Sequence, residues 1–451
     1  MKLKILPFIL LIITCTSMIL FSKLDETFYV NAITNDDISN IFHLTPIKEM
    51  VINEFMELNA VSKQDVFDPC ATSSIIVKFN PINNNVIEEY ENEYNLPERC
   101  RLCEELNLYF YDLEDNITLD TLIKLNKSDL VEYVEADYLV TTAAETTTSW
   151  GLKNKNYEGI DINVLKVWEK TKGNQNIIVS VIDTGVDYNH LNLKNNIWEN
   201  TREIPNNGLD DDENGYIDDI TGWNFADNNN DTNDYDSHGT HVAGTIAASD
   251  NNNKMIGVAP NVKIMPLSVF NGKSGNISSI IKAINYAKVK GASIVNMSLT
   301  TTAYDQGLRD VIAISNSILF ISAAGNNSQN NNLYPKYPAN YDLPNNISVA
   351  SIDQNGILSA FSNYGYTTVH IAAPGNEIYS TLPNNGYGYK SGTSMAAPYV
   401  AGVAALVKSV YPNYSPLQIK NRILLTVKKL NSLQGKVSSG GLIDARKACG
   451  F

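Results

Sequence analysis

The chain has 451 residues, of which 43% are hydrophobic and 18% charged, and carries a formal net charge of −15. This fits two or three compact units with ample core material and excludes a disordered chain. The acidic balance argues against a nucleic-acid partner. The five cysteines, Cys15, Cys70, Cys100, Cys103 and Cys449, form neither a zinc quartet nor a dense disulfide scaffold, although Cys70 could bridge to Cys100 or Cys103.

Lys2 and Lys4 precede an apolar run from Ile5 to Phe21, so residues 1–22 read as a signal peptide. The run is long and lacks a clean small-residue cleavage site, which leaves a signal anchor as the alternative. Either sends the chain into the secretory pathway, secreted or held in a secretory organelle, with a membrane as partner only if the segment remains as an anchor. No later run is long enough to span a bilayer without polar interruption.

Residues 23–72 are an N-terminal stretch without clear pattern. Over residues 73–140, "SSIIVKFN", "LNLYFYDL" and "VEYVEADYLV" predict strands and "NVIEEYENEYNL" a charged helix, together a small α+β unit. "TTAAETTTSWG" covers an exposed linker, residues 141–149, where proteolysis is easiest.

Residues 150–451 change to alternation. "NIIVSVI", "KIMPLSVF", "ASIVNMSL", "ILFISAAG" and "NISVASI" predict short buried strands, with helices such as "ISSIIKAINYAKVKG" between them. This pattern predicts an α/β unit in three layers, a mainly parallel central sheet covered on both faces. Loops at strand ends are then where chemistry sits.

"KSGTSMAAPYVAGVAALV", residues 390–407, poses the functional question. Thr393 and Ser394 are good N-cap types, Pro398 is tolerated in a first turn, and the small residues suit a buried helix. A serine at a helix start could equally be a nucleophile, because free N–H groups and the helix dipole favour an oxyanion forming beside it. That role demands a base, an orienting carboxylate and a second oxyanion donor.

His238, in "DSHGTHVAGTIAA", is placed at the start of a second small-residue helix, with His241 one turn on and pointing inward. A zinc site on this pair lacks the H-E-x-x-H glutamate and a third ligand, and His190 and His370 read as packed or loop histidines. Asp183 ends the strand of "IIVSVIDTGVD", where a buried carboxylate needs a partner such as an imidazole N–H. A paired-aspartate protease would need a second such motif, and the chain has one D-T-G. Asn326, after the strand of "FISAAGNNSQ", can supply an amide donor or merely a turn.

The order Asp183, His238, Asn326, Ser394, with "VIDTGVD", "HGTHVAGTIA", "IGVAP", "VNMSL", "AAGN", "AAPG" and "GTSMAAPYVAG", resembles the subtilisin-like serine proteases, or subtilases. The resemblance runs from about Trp150 to the C-terminus. It implies Ser394 as nucleophile, His238 as general base and acid, Asp183 as orienting carboxylate and Asn326 as oxyanion donor, in a serine endopeptidase that cuts protein or peptide substrates through an acyl-enzyme. It further implies that a substrate strand lies beside Met297, Ser298 and Leu299, and that Ser322, Ala323, Ala324 and Gly325 help line the pocket. Thr300 and Thr301 replace the usual glycines and Tyr399 a common histidine, which leaves subsite preference open.

By the same resemblance, residues 73–140 are an inhibitor-like propeptide domain of a zymogen, released by self-cleavage within Tyr138 to Trp150. The rival readings are an unrelated N-terminal binding domain, a catalytically silent subtilase scaffold that binds proteins, and a propeptide that inhibits other proteases once freed.

"NNGLDDDENGYIDD" offers Asp210, Asp212, Asn214, Tyr216 and Asp218 at calcium-loop spacing around Gly215, so a structural Ca2+ is expected there. Thr221 stands where the closing glutamate of such a loop belongs, and a solvated acidic loop is the alternative. Similar insertions after "IWEN" occur in many subtilases, including those of apicomplexan parasites. A second calcium site, near "NNNKMIGV", is weakened by Asn192 and Lys254.

Overall fold

The computed structural model describes residues 19–24, 27–32, 71–81, 84–94, 96, 99–112, 128–141, 149–250, 254–272 and 274–451. The leader up to Met18, most of residues 23–70 and linker residues 142–148 lie outside them, as does any bridge to Cys70. Among the described residues Cys100 and Cys103 form no disulfide.

The chain divides into two units: residues 1–100 with 110–136, and residues 101–109 with 137–451. In the first, strands β1 (Ile19–Leu24) and β2 (Thr27–Ala32) pair antiparallel as a hairpin. Strand β3 (Ala71–Phe79) leads into α1 (Asn84–Tyr94), and β4 (Cys100–Cys103), β5 (Leu108–Asp112) and β6 (Val131–Thr141) follow, each divided between the two units. β3 lies between β6 and β5. Ile75, Ile76, Val77 and Phe79 of β3 are buried, which is the apolar run that predicted the strand.

The second unit is built on a nine-stranded sheet in the order β18-β19-β15-β14-β13-β12-β7-β9-β8. Its strands are β7 (Ile178–Asp183), β8 (Trp223–Asn224), β9 (Lys263–Ser268), β12 (Ile294–Met297), β13 (Leu319–Ala323), β14 (Asn346–Ile352), β15 (Ile371–Pro374), β18 (Lys428–Lys429) and β19 (Gly441–Leu442). Neighbours pair parallel except at the β18–β19 edge. β12, β13 and β14 are buried at every residue, as strands covered on both faces must be.

β7 comes first in the chain yet sits between β12 and β9, so connections leave it in opposite directions. A sheet opens a crevice at the carboxyl ends of strands where that happens. Asp183 ends β7, and Ser298 and Ala324 follow the ends of β12 and β13, at this rim. β10 (Phe270–Asn271) and β11 (Ser274–Asn276) form a small hairpin after β9. β16 (Ile378–Leu382) and β17 (Gly386–Lys390) form another just before Ser394.

The helices are α2 (Leu165–Trp168), α3 (His238–Ala247), α4 (Ile277–Val289), α5 (Gln306–Ile314), α6 (Thr393–Val410), α7 (Pro416–Leu425) and α8 (Ala445–Cys449). α6 packs across β12 to β15 and against α3, while α4 contacts β7, β9 and α5, giving the helix, sheet and helix layers the alternation predicted. Small residues let α6 come close: a Cβ on Gly402 would lie 2.5 Å from Val258 Cβ. Among the described residues α6 is the one helix long and apolar enough to cross a membrane, and it is buried in this core.

His241 is buried and His370 partly so, and desolvation drives each imidazole from its ordinary 6.5 to about 3, helped at His370 by the Lys420 charge. Between those values the unfolded chain binds protons that the folded chain refuses. Stability held above pH 6.5 is therefore lost progressively as pH falls toward 3. The thermal midpoint is expected to fall between pH 8 and pH 5, and His370→Gln to flatten that slope; an unchanged slope in the variant would assign it to other groups.

Candidate active site

His238 opens α3, and its ring meets the end of β7: Nδ1 lies 2.6 Å from Asp183 Oδ1. Both side chains are buried, and Asp183 Oδ1 also accepts from Thr184 N–H at 2.8 Å. A backbone N–H and an imidazole N–H on one oxygen satisfy this buried carboxylate, and with Nδ1 as the donor the lone pair of Nε2 is left open. His238 Nε2 is buried and has no hydrogen-bond partner among the described residues.

The close approach requires glycine. A Cβ on Gly239 would lie 2.0 Å from Gly185 O and 3.2 Å from Asp183 Cβ, so any side chain there would push α3 off the end of β7. Ser237, at φ 87°, makes no side-chain cap for α3. Asp234 supplies one instead, accepting from Ser237 N–H and Thr240 N–H at 2.9 and 2.8 Å and from Thr184 Oγ1 at 2.9 Å. Sequence reading missed Asp234; a carboxylate four residues before a helix-opening histidine was the available signal.

Ser394 and Thr393 both lie inside α6, whose N-cap position is Gly392. The expectation that they cap the helix is corrected, and so is the first-turn place of Pro398, which is the sixth helical residue. Ser394 is 2% exposed, and its Oγ donates to Ser298 O at 3.1 Å. Asn326 follows Gly325, whose φ of 106° turns the chain off β13. The Asn326 amide oxygen accepts from Thr393 N–H at 2.8 Å and Thr393 Oγ1 at 2.9 Å, so the other edge of the amide carries the N–H donors. Thr393, read from sequence only as an N-cap type, is the residue that orients it.

Met297, Ser298 and Leu299 run on from β12, and Ser322, Ala323, Ala324 and Gly325 from β13, all buried along this rim. The Ser322 hydroxyl is spent on Asn346 Oδ1 at 2.8 Å. Thr301 exchanges both backbone hydrogen bonds with Tyr337 at 2.8 Å, so that edge is already paired where glycine was expected. Tyr399 is a core residue, 1% exposed, with its hydroxyl against Gly151; it has no direct bearing on subsites. Beside Thr184, a cavity of about 190 Å³ is lined by Asp227, Asp236, Phe270 and Asn271.

The two histidines of α3 engage different partners. His241 is 2.9 Å from Ile378 O through Nε2, while His238 engages Asp183. Asp183 likewise faces an imidazole rather than a second aspartate.

In the acidic loop, Asp210 accepts from Asn214 and Gly215 N–H at 2.9 and 2.7 Å, and Asp218 from Asn207 and Gly208 N–H at 3.1 and 3.0 Å. Tyr216 packs its ring on Trp223 and Phe225. The carboxylates drawn together among the described residues are Glu203, Asp212 and Asp219, a set different from the one read from spacing. Lys290 enters this group, with Nζ 2.8 Å from Asp212 and 3.2 Å from Asp219, and Arg202 reaches Asp212 at 3.1 Å. Burial alone would raise the Asp212 carboxyl, but hydrogen bonds from Lys290 and Asn200 and the charges of Lys290 and Arg202 hold it below the usual range. Thr221 faces Thr232 at 3.0 Å, and Asn192 binds Tyr387 OH and Ser249 O.

Residues 174–440 match the subtilase family, the peptidase S8 group. The chain is 33% identical over 398 residues to the thermophilic serine proteinase of Bacillus sp. (strain AK1), covering 83% of this chain and 90% of that protein. It is 38% identical over 290 residues to subtilisin-like protease 2 of Plasmodium falciparum, covering 61% of this chain and 20% of that far longer protein. The fold is similar to that of fervidolysin from Fervidobacterium pennivorans, with a TM-score of 0.69 and 24% identity over 86% of this chain and 62% of that one. The chain therefore belongs to the subtilase family and is a subtilisin-like serine endopeptidase.

Proposed function

We propose that the chain is made as a secreted zymogen whose endopeptidase acts through Asp183, His238 and Ser394, with Asn326 as oxyanion donor. The single observation that carries this reading is the buried 2.6 Å His238–Asp183 contact at the rim where Ser394 and Asn326 also lie. For reaction, the Ser394 hydroxyl swings from Ser298 O to His238 Nε2, which takes its proton as Oγ bonds to the scissile carbonyl carbon. The imidazolium is stabilised by Asp183, and the oxyanion by the Asn326 amide and the N–H groups at the start of α6. His238 then returns the proton to the leaving amine, and water repeats the sequence on the acyl-enzyme.

Zymogen processing is supported by backbone pairing within residues 137–451. Leu139, Val140 and Thr141 pair antiparallel with Asn276, Gly275 and Ser274 of β11, the way an extended peptide adds a strand to an open edge. The linker that leaves this strand is where self-cleavage is proposed, within Tyr138 to Trp150, and residues 73–140 are then the propeptide and intramolecular inhibitor. Entry into the secretory route rests on the apolar leader.

A structural Ca2+ is proposed for the acidic loop, where Asp210, Asp212, Asn214, Asp218 and the Tyr216 carbonyl are hard oxygen donors on a segment turned by Gly215, φ 92°. Lys290 already balances the inner pair Asp212 and Asp219, so the ion would reinforce the loop and take no part in the chemistry.

Expressed through a secretory route, the wild type is expected to be cut within Tyr138 to Trp150 and Ser394→Ala to stay whole, read by mass and N-terminal sequence. Cleavage persisting in Ser394→Ala would remove Ser394 as nucleophile. Asn326→Ala is expected to lower kcat by about 10²–10³ with little change in KM. Lys290→Met, which leaves two buried carboxylates without their ammonium, is expected to lower the thermal midpoint, with millimolar Ca2+ restoring part of it. No recovery with Ca2+ would count against an ion at this loop.

A further inference from the structure

We propose that Ser298 is a positioning residue for the nucleophile, acting through its side chain, with Asn296 behind it. The inference rests on Ser394 being the nucleophile and adds what holds it in place.

The need arises inside α6. In an α-helix the carbonyl of residue i accepts from the N–H of residue i+4. For Ser394 that residue is Pro398, which has no N–H, and Pro398 lies within the helix rather than at its start. The carbonyl belonging to the reacting residue therefore lacks its helical donor, in a place where Ser394 is 2% exposed and water cannot readily replace it.

Ser298 supplies the donor from the end of β12. Its Oγ–H donates to Ser394 O at 2.8 Å, and Asn296 Nδ2 in turn donates to Ser298 Oγ at 2.9 Å. Ser298 and Asn296 are fully buried, so the relay is held by packing on every side. Because Ser298 Oγ accepts from the amide, its single proton is directed to Ser394 O. The relay thus ties the peptide group of Ser394 to the strand along which the backbone of Ser298 also receives the Ser394 hydroxyl.

Two links therefore run between these residues in opposite directions. One, from Ser394 Oγ to Ser298 O, must break during reaction. The other, from Ser298 Oγ to Ser394 O, need not move, and it sets where Oγ pivots. Truncating Ser298 removes only the second, since the backbone carbonyl that meets a substrate stays.

The test uses the full chain after self-processing and reads the rate of phosphonylation of Ser394 by a fluorophosphonate, together with kcat and KM on a peptide copying residues 135–150. Ser298→Ala is expected to slow phosphonylation and lower kcat by about 10–100-fold, in line with the roughly 10²-fold cost of a 1 Å misplacement, with KM little changed. Pro398→Ala restores an N–H that can reach Ser394 O. In that background Ser298→Ala is expected to cost no more than about threefold, a non-additivity that general loosening of the fold would not produce.

A wild-type rate in Ser298→Ala overturns the proposal, as does an equal loss with and without Pro398. If Ser298→Ala does not fold, Ser298→Cys, similar in shape but a weak donor, replaces it in both backgrounds with the same expectations. Ser394→Ala separates the two levels: labelling that persists there overturns the nucleophile assignment itself, and the positioning role with it.

Discussion

A carboxylate with no exposed surface, Asp183, is tolerable only because an imidazole and a backbone N–H bind it, and the fold is arranged around that requirement. The strand order reverses at β7, which puts Asp183 at an open rim. Gly239 and Gly185 let α3 touch the end of that strand, which brings His238 within 2.6 Å of Asp183. Packing of α6 against α3 and across β12 to β15 carries Ser394 to the same rim. Each of these steps is ordinary packing, and together they assemble the groups proposed to react.

Both helices that carry reactive side chains begin without a side-chain cap of their own. Their first turns are satisfied from elsewhere: Asp234 binds Thr240 N–H in α3, Asn326 binds Thr393 N–H in α6, and Ser298 binds Ser394 O. The consequence is that His238 and Ser394 are located by distant loops and strand ends more than by local helix preference. A site fixed this way is held to the sheet, the most rigid element available.

The acidic loop follows the same economy. Glu203, Asp212 and Asp219 would repel one another if left alone, and the chain brings Lys290 from the end of α4 and Arg202 from the loop itself to balance them. Tyr286, one turn before Lys290, donates to Asp219 at 2.5 Å and packs on Tyr216 and Phe225. The loop is thus tied to the α4 face of the sheet by charge, hydrogen bonds and aromatic contacts at once.

The strands from "NIIVSVI" to "NISVASI" were legible because buried parallel strands are continuous apolar runs, and Asp183, His238, Asn326 and Ser394 stood out as candidates because each lies at a strand end or near a helix start. The β16–β17 hairpin escaped notice, since β17 is half-buried throughout and both strands are mixed in character. In the acidic loop spacing singled out Asp210, Asp212 and Asp218, while the gathering of Glu203, Asp212 and Asp219 was invisible to it, because Glu203 joins them only through the fold. Local sequence determined residue types, periodicity and the order of the motifs, because those depend on near neighbours. Lys290, Thr393, Asp234 and the Ser298 relay were decided only in three dimensions, because each answers a charge or an orphaned backbone group that folding itself creates.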